Sequence, residues 1–245
     1  MARHSHWASI RIKKGALDKK RGKIFTKHAR LIEVAARQGG GDPVMNASLR
    51  LAIENARYEN MPRENIDRAI KKGTGELKGG EIQEVSYEGY GPGGFALVID
   101  TLTDNKNRTN QALRMALQKN GGTLGEAGCT SFMFEVKGEL NVKKKGGVDE
   151  DEIEIIDAGA QDIAETEDGF IVYTAATDFG KVKKALEAKG YVITGAQLIK
   201  SPKNLVEITD AATAKKVLEL MDALDEEEDV ANVAANFDIP ENLVS

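Results

Sequence analysis

The chain has 245 residues, 41% of them hydrophobic, 30% charged and 5% aromatic, with a formal net charge of −5. That is an ordinary composition with enough aliphatic material for a packed core, and no stretch approaches the roughly 18–20 consecutive apolar residues a membrane span needs. The single cysteine, Cys129, excludes an internal disulfide, and the three histidines, His4, His6 and His28, are not clustered with it, which leaves a structural zinc site almost no ligands.

Residues 1–22 read as a basic arm punctuated by Gly15 and Gly22. Residues 23–38 read as a helix, because Ile24, Phe25, His28, Ala29, Ile32, Ala35 and Ala36 fall on one face at 3.6 residues per turn. Gly39-Gly40-Gly41 stops it and Asp42-Pro43 restarts the chain. A second helix over 44–59 turns Leu49, Ala52, Ile53 and Ala56 inward, and a third, begun by Pro62, carries Ile66 and Ile70 as far as Gly73. The glycine-rich run 73–81 is the best linker candidate.

Beyond it the pattern changes. IQEVSYEGY and GFALVIDTL predict a hairpin around GPGG, Asn105–Asn120 a helix, and Ser131–Val136 a strand. A weak strand over 139–145, a helix over about 149–158 carrying Ile153 and Ile156, a hairpin over 162–165 and 169–175, a helix over 178–189 and a strand over 197–200 give the βαββαβ order of a ferredoxin-like unit. A final strand, helix and strand over 205–208, 210–224 and 229–236 would complete one layer with residues 81–136. The fold class predicted is therefore α+β in three domains. A basic helical domain spans 1–78, a discontinuous α+β middle domain spans 79–136 and 203–240, and a ferredoxin-like domain over 137–202 is inserted in it.

Charge is unevenly spread over this plan. Residues 1–78 hold 18 Lys and Arg against 8 Asp and Glu, and the remainder holds 16 against 31. The first thirty residues hold 10 basic residues and one acid, Asp18. Such asymmetry suggests one end that meets polyanions and a body that does not, although charge also simply solvates helices. Lys20, Lys23, Lys27 and Arg30 repeat at i, i+3, i+7 and i+10, which places them within an arc of about 80° on the far side from Phe25 and Ile32. The core is then not expected to compete for them. Arg3, Arg11, Lys13, Lys14, Lys19 and Arg21 extend the field into the arm. A line of cations suits the repeating phosphates of a nucleic acid, positioning it without reading its sequence. Trp7 within the arm either stacks on an unpaired base or anchors the arm to its own domain.

Three further stretches carry a functional and a plain reading. Residues 89–94 formally match GxGxxG, but the run leads into a strand rather than a helix, so it reads as a hairpin turn, with Tyr90 exposed at its tip and able to touch a partner. Asn107 and Arg108 lie at a predicted helix start, where they either meet phosphate or belong to ordinary capping. The acidic run 222–229 reads as a solvated helix end, or as a shield for the basic arm. No Walker A sequence, GxSxG, HExxH or cysteine with a plausible histidine base is present, so no enzymatic activity is expected, and no catalytic residue, metal or cofactor.

Several stretches together resemble the YebC family: HSHWASI at 4–10, KRGKIFTK at 20–27, AARQGGGDP at 35–43, NMPRENIDRAIKKG at 60–73, YEGYGPGG at 87–94, TDNKNRT at 103–109 and GGTLGEAGCTSFMFEVKG at 121–138. The resemblance covers nearly the whole chain. It implies a helical N-terminal domain and two α+β domains, the third inserted in the second, with no cofactor and no known catalytic residues. Its members are described either as DNA-binding transcriptional regulators or as ribosome-associated translation factors, a mitochondrial translational activator among them. His6, Ile12 and His28 depart from the usual pattern, where lysine, histidine and an aliphatic residue are common.

The reading favoured from the sequence is a cytoplasmic, ribosome- or RNA-associated translation factor, with a duplex-DNA-binding transcriptional regulator as the alternative. The partner is expected to be ribosomal RNA or duplex DNA, with no membrane and no small-molecule substrate. The GGGDP loop is long for a helix-turn-helix turn, which argues against the alternative. A protein scaffold binding an acidic partner, or an unrecognised enzyme, stands further off. The start MARHSHWASIRIKKG has no apolar core of a secretory signal, and Trp7 and the helix signals behind it argue against an organelle transit peptide.

Overall fold

The structure is a computed structural model and describes residues 20–78 and 80–243. Three helices come first: α1 (Lys20–Gly39), α2 (Ala47–Tyr58) and α3 (Arg63–Gly73). They bury one shared core of Ile32, Ala35, Ala36, Leu49, Ile53, Ala56, Met61, Ile66 and Ala69, with Phe25 and Ala29 packed against it. This is the face predicted from the 3.6-residue period. The turn between α1 and α2 is tied by Asn46, whose Oδ1 accepts from Leu49 N–H as the N-cap of α2, while its Nδ2 donates to the carbonyls of Ala35 and Gly40. The glycine-rich loop is therefore pinned at both ends. Gly73 closes α3 directly against the Glu33 carbonyl of α1, an approach that leaves no room for a Cβ.

The second part is a four-stranded sheet, in the spatial order β3 (Thr123–Leu124), β1 (Gln83–Tyr90), β2 (Ala96–Thr103) and β9 (Val230–Ala235). Strands β1 and β2 pair antiparallel, Gln83 opposite Thr103 and Tyr90 opposite Ala96. The turn between them needs Gly93 and Gly94 at positive φ, and Gly91 N–H closes it on the Phe95 carbonyl. The short β3 lies antiparallel on β1, and β9 lies antiparallel on β2. Helices α4 (Lys106–Lys119) and α7 (Ala211–Glu226) supply Leu113, Leu117, Val217, Leu220 and Leu224 to a core with Phe95, Leu97, Ile99 and Phe237. The other face of β2, Ala96 and Val98, with Ala234 beside Val98 on β9, packs against Phe134 and Met133. Both faces being covered explains why β2 reads as a continuous apolar run. A two-stranded parallel ladder, β8 (Val206–Glu207) with β10 (Phe237–Asp238), completes this part.

The third part, Glu135–Ser201, is a compact unit of its own, distinct from the residues on either side of it in sequence. It holds β4 (Phe134–Lys143), α5 (Val148–Asp157), β5 (Asp162–Glu165), β6 (Gly169–Ala175), α6 (Phe179–Ala188) and β7 (Ile193–Pro202). The sheet order is β5-β6-β4-β7, with β4–β6 and β5–β6 antiparallel, the ferredoxin-like arrangement. The fold is thus α+β, with helices first and a ferredoxin-like unit inserted in the sheet-bearing part.

Two expectations change. Ser131–Val136 and 139–145 are not separate strands: Ser131–Met133 is a 3-10 turn leading into the single strand β4, and β3 takes the edge of the middle sheet instead. In α5 the residue that packs inward is Ile155, together with Asp151, whereas Ile153 and Ile156 face solvent.

Candidate nucleic-acid interface

Arg3, Trp7, Arg11, Lys13, Lys14 and Lys19 lie outside the described residues, and of Lys20 and Arg21 only the helical backbone is described. The remainder of the predicted stripe is placed clearly. Lys27 is exposed. Lys23 Nζ donates to the Glu226 carbonyl at 2.7 Å. Arg30 is drawn further in. Its Nη1 donates to the carbonyls of Leu102 and Glu228 at 3.1 and 2.7 Å and to Asp229 Oδ1 at 2.8 Å.

The expectation that Arg30 stands clear of the protein and is open to phosphate is therefore corrected. α1 is covered on two sides. One side meets α2 and α3, and the side carrying Lys23 and Arg30 meets the acidic end of α7 and the turn into β9. The arc opposite the apolar face is only partly a solvent face: Lys23 and Lys27 stay exposed, while a second part of the same chain engages Arg30.

Asp229 gathers more than Arg30. Thr109 and Thr103 hydroxyls donate to its Oδ2 at 2.7 and 3.1 Å, and Arg108 Nη2 donates to it at 2.9 Å while also meeting Asp104 Oδ1 at 2.8 Å. Burial works to raise the carboxyl. The donors from Thr109, Arg108 and Thr103 and the charge of Arg30 outweigh it and hold Asp229 below the ordinary carboxylate range. Arg108, expected as a phosphate contact, is thus half-exposed but already paired with carboxylates, and the hydrogen bonds it donates to Asp229 and Asp104 raise its affinity for its proton. Asn105 caps α4 by accepting from Arg108 N–H, and Asn107 stands exposed on the first turn. The capping reading of this helix start holds.

A second buried carboxylate was not singled out in the sequence. Glu88 in β1 accepts from Gly128 N–H at 2.8 Å, Thr130 N–H at 2.6 Å, Ser131 N–H at 2.8 Å and the Thr130 hydroxyl at 3.2 Å. Burial opposes its charge, but these donors lower its pKa to about 2. It fixes the loop that leads into β4. Alternation along β1 gives Glu88 the same signature as the exposed Glu84, so no sequence signal separates them. Tyr90 is corrected here too. It is the last residue of β1, half-buried, with its hydroxyl donating to the Cys129 carbonyl at 3.0 Å rather than exposed at a turn tip.

The cations that do face outward on the helical part are mostly ones the stripe argument passed over. On α3, Arg68, Lys71 and Lys72 are exposed and fall within an arc of about 100° opposite Ile66 and Ala69. Arg57 at the end of α2 and Arg63 at the start of α3 are exposed as well. Arg37 at the end of α1 turns to Glu33 and the Ile82 carbonyl. Among the described residues no group of three or more His, Cys, Asp and Glu side chains is placed to hold a metal ion, and no helix is long and apolar enough to cross a membrane.

Comparison with known proteins agrees along the whole chain. Residues 5–76 match the model of the TACO1/YebC protein N-terminal domain, and residues 82–237 match that of the TACO1/YebC second and third domain. A "probable transcriptional regulatory protein" of Halothermothrix orenii is 50% identical over 247 residues, covering 100% of this chain and 98% of that one. One of the same description from Dictyoglomus turgidum is 47% identical, with 100% and 98% covered. The crystal structure of the conserved hypothetical protein Aq1575 from Aquifex aeolicus superposes with a TM-score of 0.91 at 47% identity, covering 98% of this chain and 100% of that one.

Proposed function

The chain belongs to the TACO1/YebC family, and from that premise we propose that it regulates gene expression by binding nucleic acid, as a cytoplasmic, ribosome- or RNA-associated translation factor. The observation that carries this reading is the outward face of α3. Arg68, Lys71 and Lys72 project together, with Glu64 as the only other member of their arc. Lysines and arginines of this kind neutralise backbone phosphates, contacts that position a nucleic acid and carry no sequence information themselves. Such a face suits any phosphate backbone, and RNA is favoured over an operator because the GGGDP loop is long for a helix-turn-helix turn. Binding rather than chemistry is supported by Glu88 and Asp229, two buried carboxylates whose oxygens are already engaged by donors.

The names of the bacterial relatives favour the alternative, a duplex-DNA-binding transcriptional regulator. A competition at about 150 mM salt, where unspecific phosphate attraction is partly screened, separates the two. The full chain and an Arg68→Glu/Lys71→Glu/Lys72→Glu variant are offered intact ribosomes with excess random duplex DNA. Retention of the wild type on ribosomes and its loss in the variant supports the translation reading. Transfer of the protein to the DNA overturns it in favour of the alternative. Equal behaviour of wild type and variant removes α3 from the interface.

A further inference from the structure

The inserted unit carries a surface of opposite character. Helix α5 reads VDEDEIEIID, six carboxylates in ten residues. Two of them are used inside the unit. Asp151 accepts from the amides of Lys145 and Gly146 and from the Tyr191 hydroxyl, and Glu154 accepts from Lys145 Nζ at 2.7 Å and the Tyr191 hydroxyl at 3.0 Å. Asp149, Glu150, Glu152 and Asp157 remain around the outward side.

In the middle of that side sit Ile153 and Ile156, 62% and 58% exposed. Residues three apart on a helix are surface neighbours, so the two side chains form one apolar spot opposite the buried Asp151 and Ile155. The fold does not require isoleucine there. The helix already has its inward residues, and β-branched side chains are weaker helix formers than the Glu, Lys or Gln that usually fill a solvated face. An apolar pair rimmed by acids is the composition of a docking face rather than of a merely solvated one.

We propose that the outer face of α5 is a docking surface for a cationic protein segment, one that carries lysines or arginines around apolar side chains spaced to meet Ile153 and Ile156. Charge selects this occupant. A nucleic acid or an anionic lipid surface would bring its phosphates against four carboxylates. A second copy pairing through the same face about a two-fold axis would set the acidic rims against each other. A basic segment gains Coulomb attraction at the rim and apolar burial at the centre. The cationic helical part of the chain and this acidic face would then engage different partners, which is independent of whether the nucleic acid is RNA or DNA.

The test titrates the full chain with a fluorescein-labelled 18-residue helical peptide of lysine and leucine with one apolar face, and with a scrambled peptide of identical composition that lacks that face. The wild type is expected to bind the amphipathic peptide at least about tenfold more tightly than the scrambled one, a difference of about 1.4 kcal/mol. Ile153→Ser/Ile156→Ser is expected to abolish that preference with the melting temperature unchanged. Glu150→Lys/Asp157→Lys is expected to weaken both peptides, and it serves as the second variant should the first fold poorly. Equal binding of the two peptides by the wild type overturns the proposal, as does an unaltered preference in the serine variant. Sedimentation that shows a wild-type dimer abolished by the serine substitutions also overturns it, because the face would then belong to a second copy.

Discussion

Arg30 and Asp229 stand 199 positions apart in the chain and meet at 2.8 Å, their side chains only 16% and 8% exposed. Around them Thr103 and Arg108 join β2 and α4 to the same carboxylate. This one anion therefore ties the first helix to the sheet-bearing part of the chain. The same bond removes a cation from the surface that a sequence argument offers to nucleic acid.

Asp229→Ala is expected to cost about 3 kcal/mol in a urea titration, because it leaves Arg30 enclosed without its partner. The Arg30→Met/Asp229→Ala double variant should lose less than the sum of the two single losses, with a coupling of about 1–3 kcal/mol. A loss below about 1 kcal/mol for Asp229→Ala would place this contact among ordinary surface pairs.

His28 sets an acid sensitivity. Burial, and then the charge of Lys27, lower its pKa from 6.5 to about 4, and its Nδ1 has no hydrogen-bond partner among the described residues. The unfolded chain therefore holds more protons between those two values, and stability falls as the pH drops through that window. His28→Leu should remove the fall, raising the melting temperature more at pH near 5 than at pH near 7.5. Glu88 acts in a lower window that overlaps this one only near pH 4 to 4.5: its contribution is present above the ordinary value of 4.5 and is lost as the pH falls from there towards about 2. An equal gain at both pH values would mean that packing, and not the proton, is responsible.

Glu88→Gln keeps the side chain's size but sets an amide NH₂ among backbone donors. Amide hydrogen exchange at Thr130 and Ser131 should accelerate, while exchange along β2 at Leu97 and Ile99 is affected less. Unchanged protection of Thr130 would show that the loop is held by other contacts.

The neutral variant Arg68→Gln/Lys71→Gln/Lys72→Gln addresses the phosphate role directly. If each residue meets one phosphate, the slope of log affinity against log salt should shrink by about 2–3. A lower affinity with the slope unchanged would assign these residues to some role other than neutralising phosphates.

Much of the fold was legible in the order of residues, because helix and strand periods are local. The face of α1 built on Ile32, Ala35 and Ala36, the helix start at Asn105, the GPGG hairpin and the βαββαβ order of the inserted unit all follow from spacings of two to four residues. The charge asymmetry between the two ends of the chain was likewise plain. The fate of individual charged side chains was not. A helical wheel distinguishes the apolar side from the rest, but it cannot tell water from another part of the same chain. That is why Arg30 and Arg108 read as open cations although both converge on Asp229. In the same way a ten-residue acidic helix does not announce whether Ile153 or Ile155 is the one inside. Where two segments nearly two hundred residues apart share one carboxylate, burial and hydrogen bonding are properties of the assembled packing, and only the tertiary structure decides them.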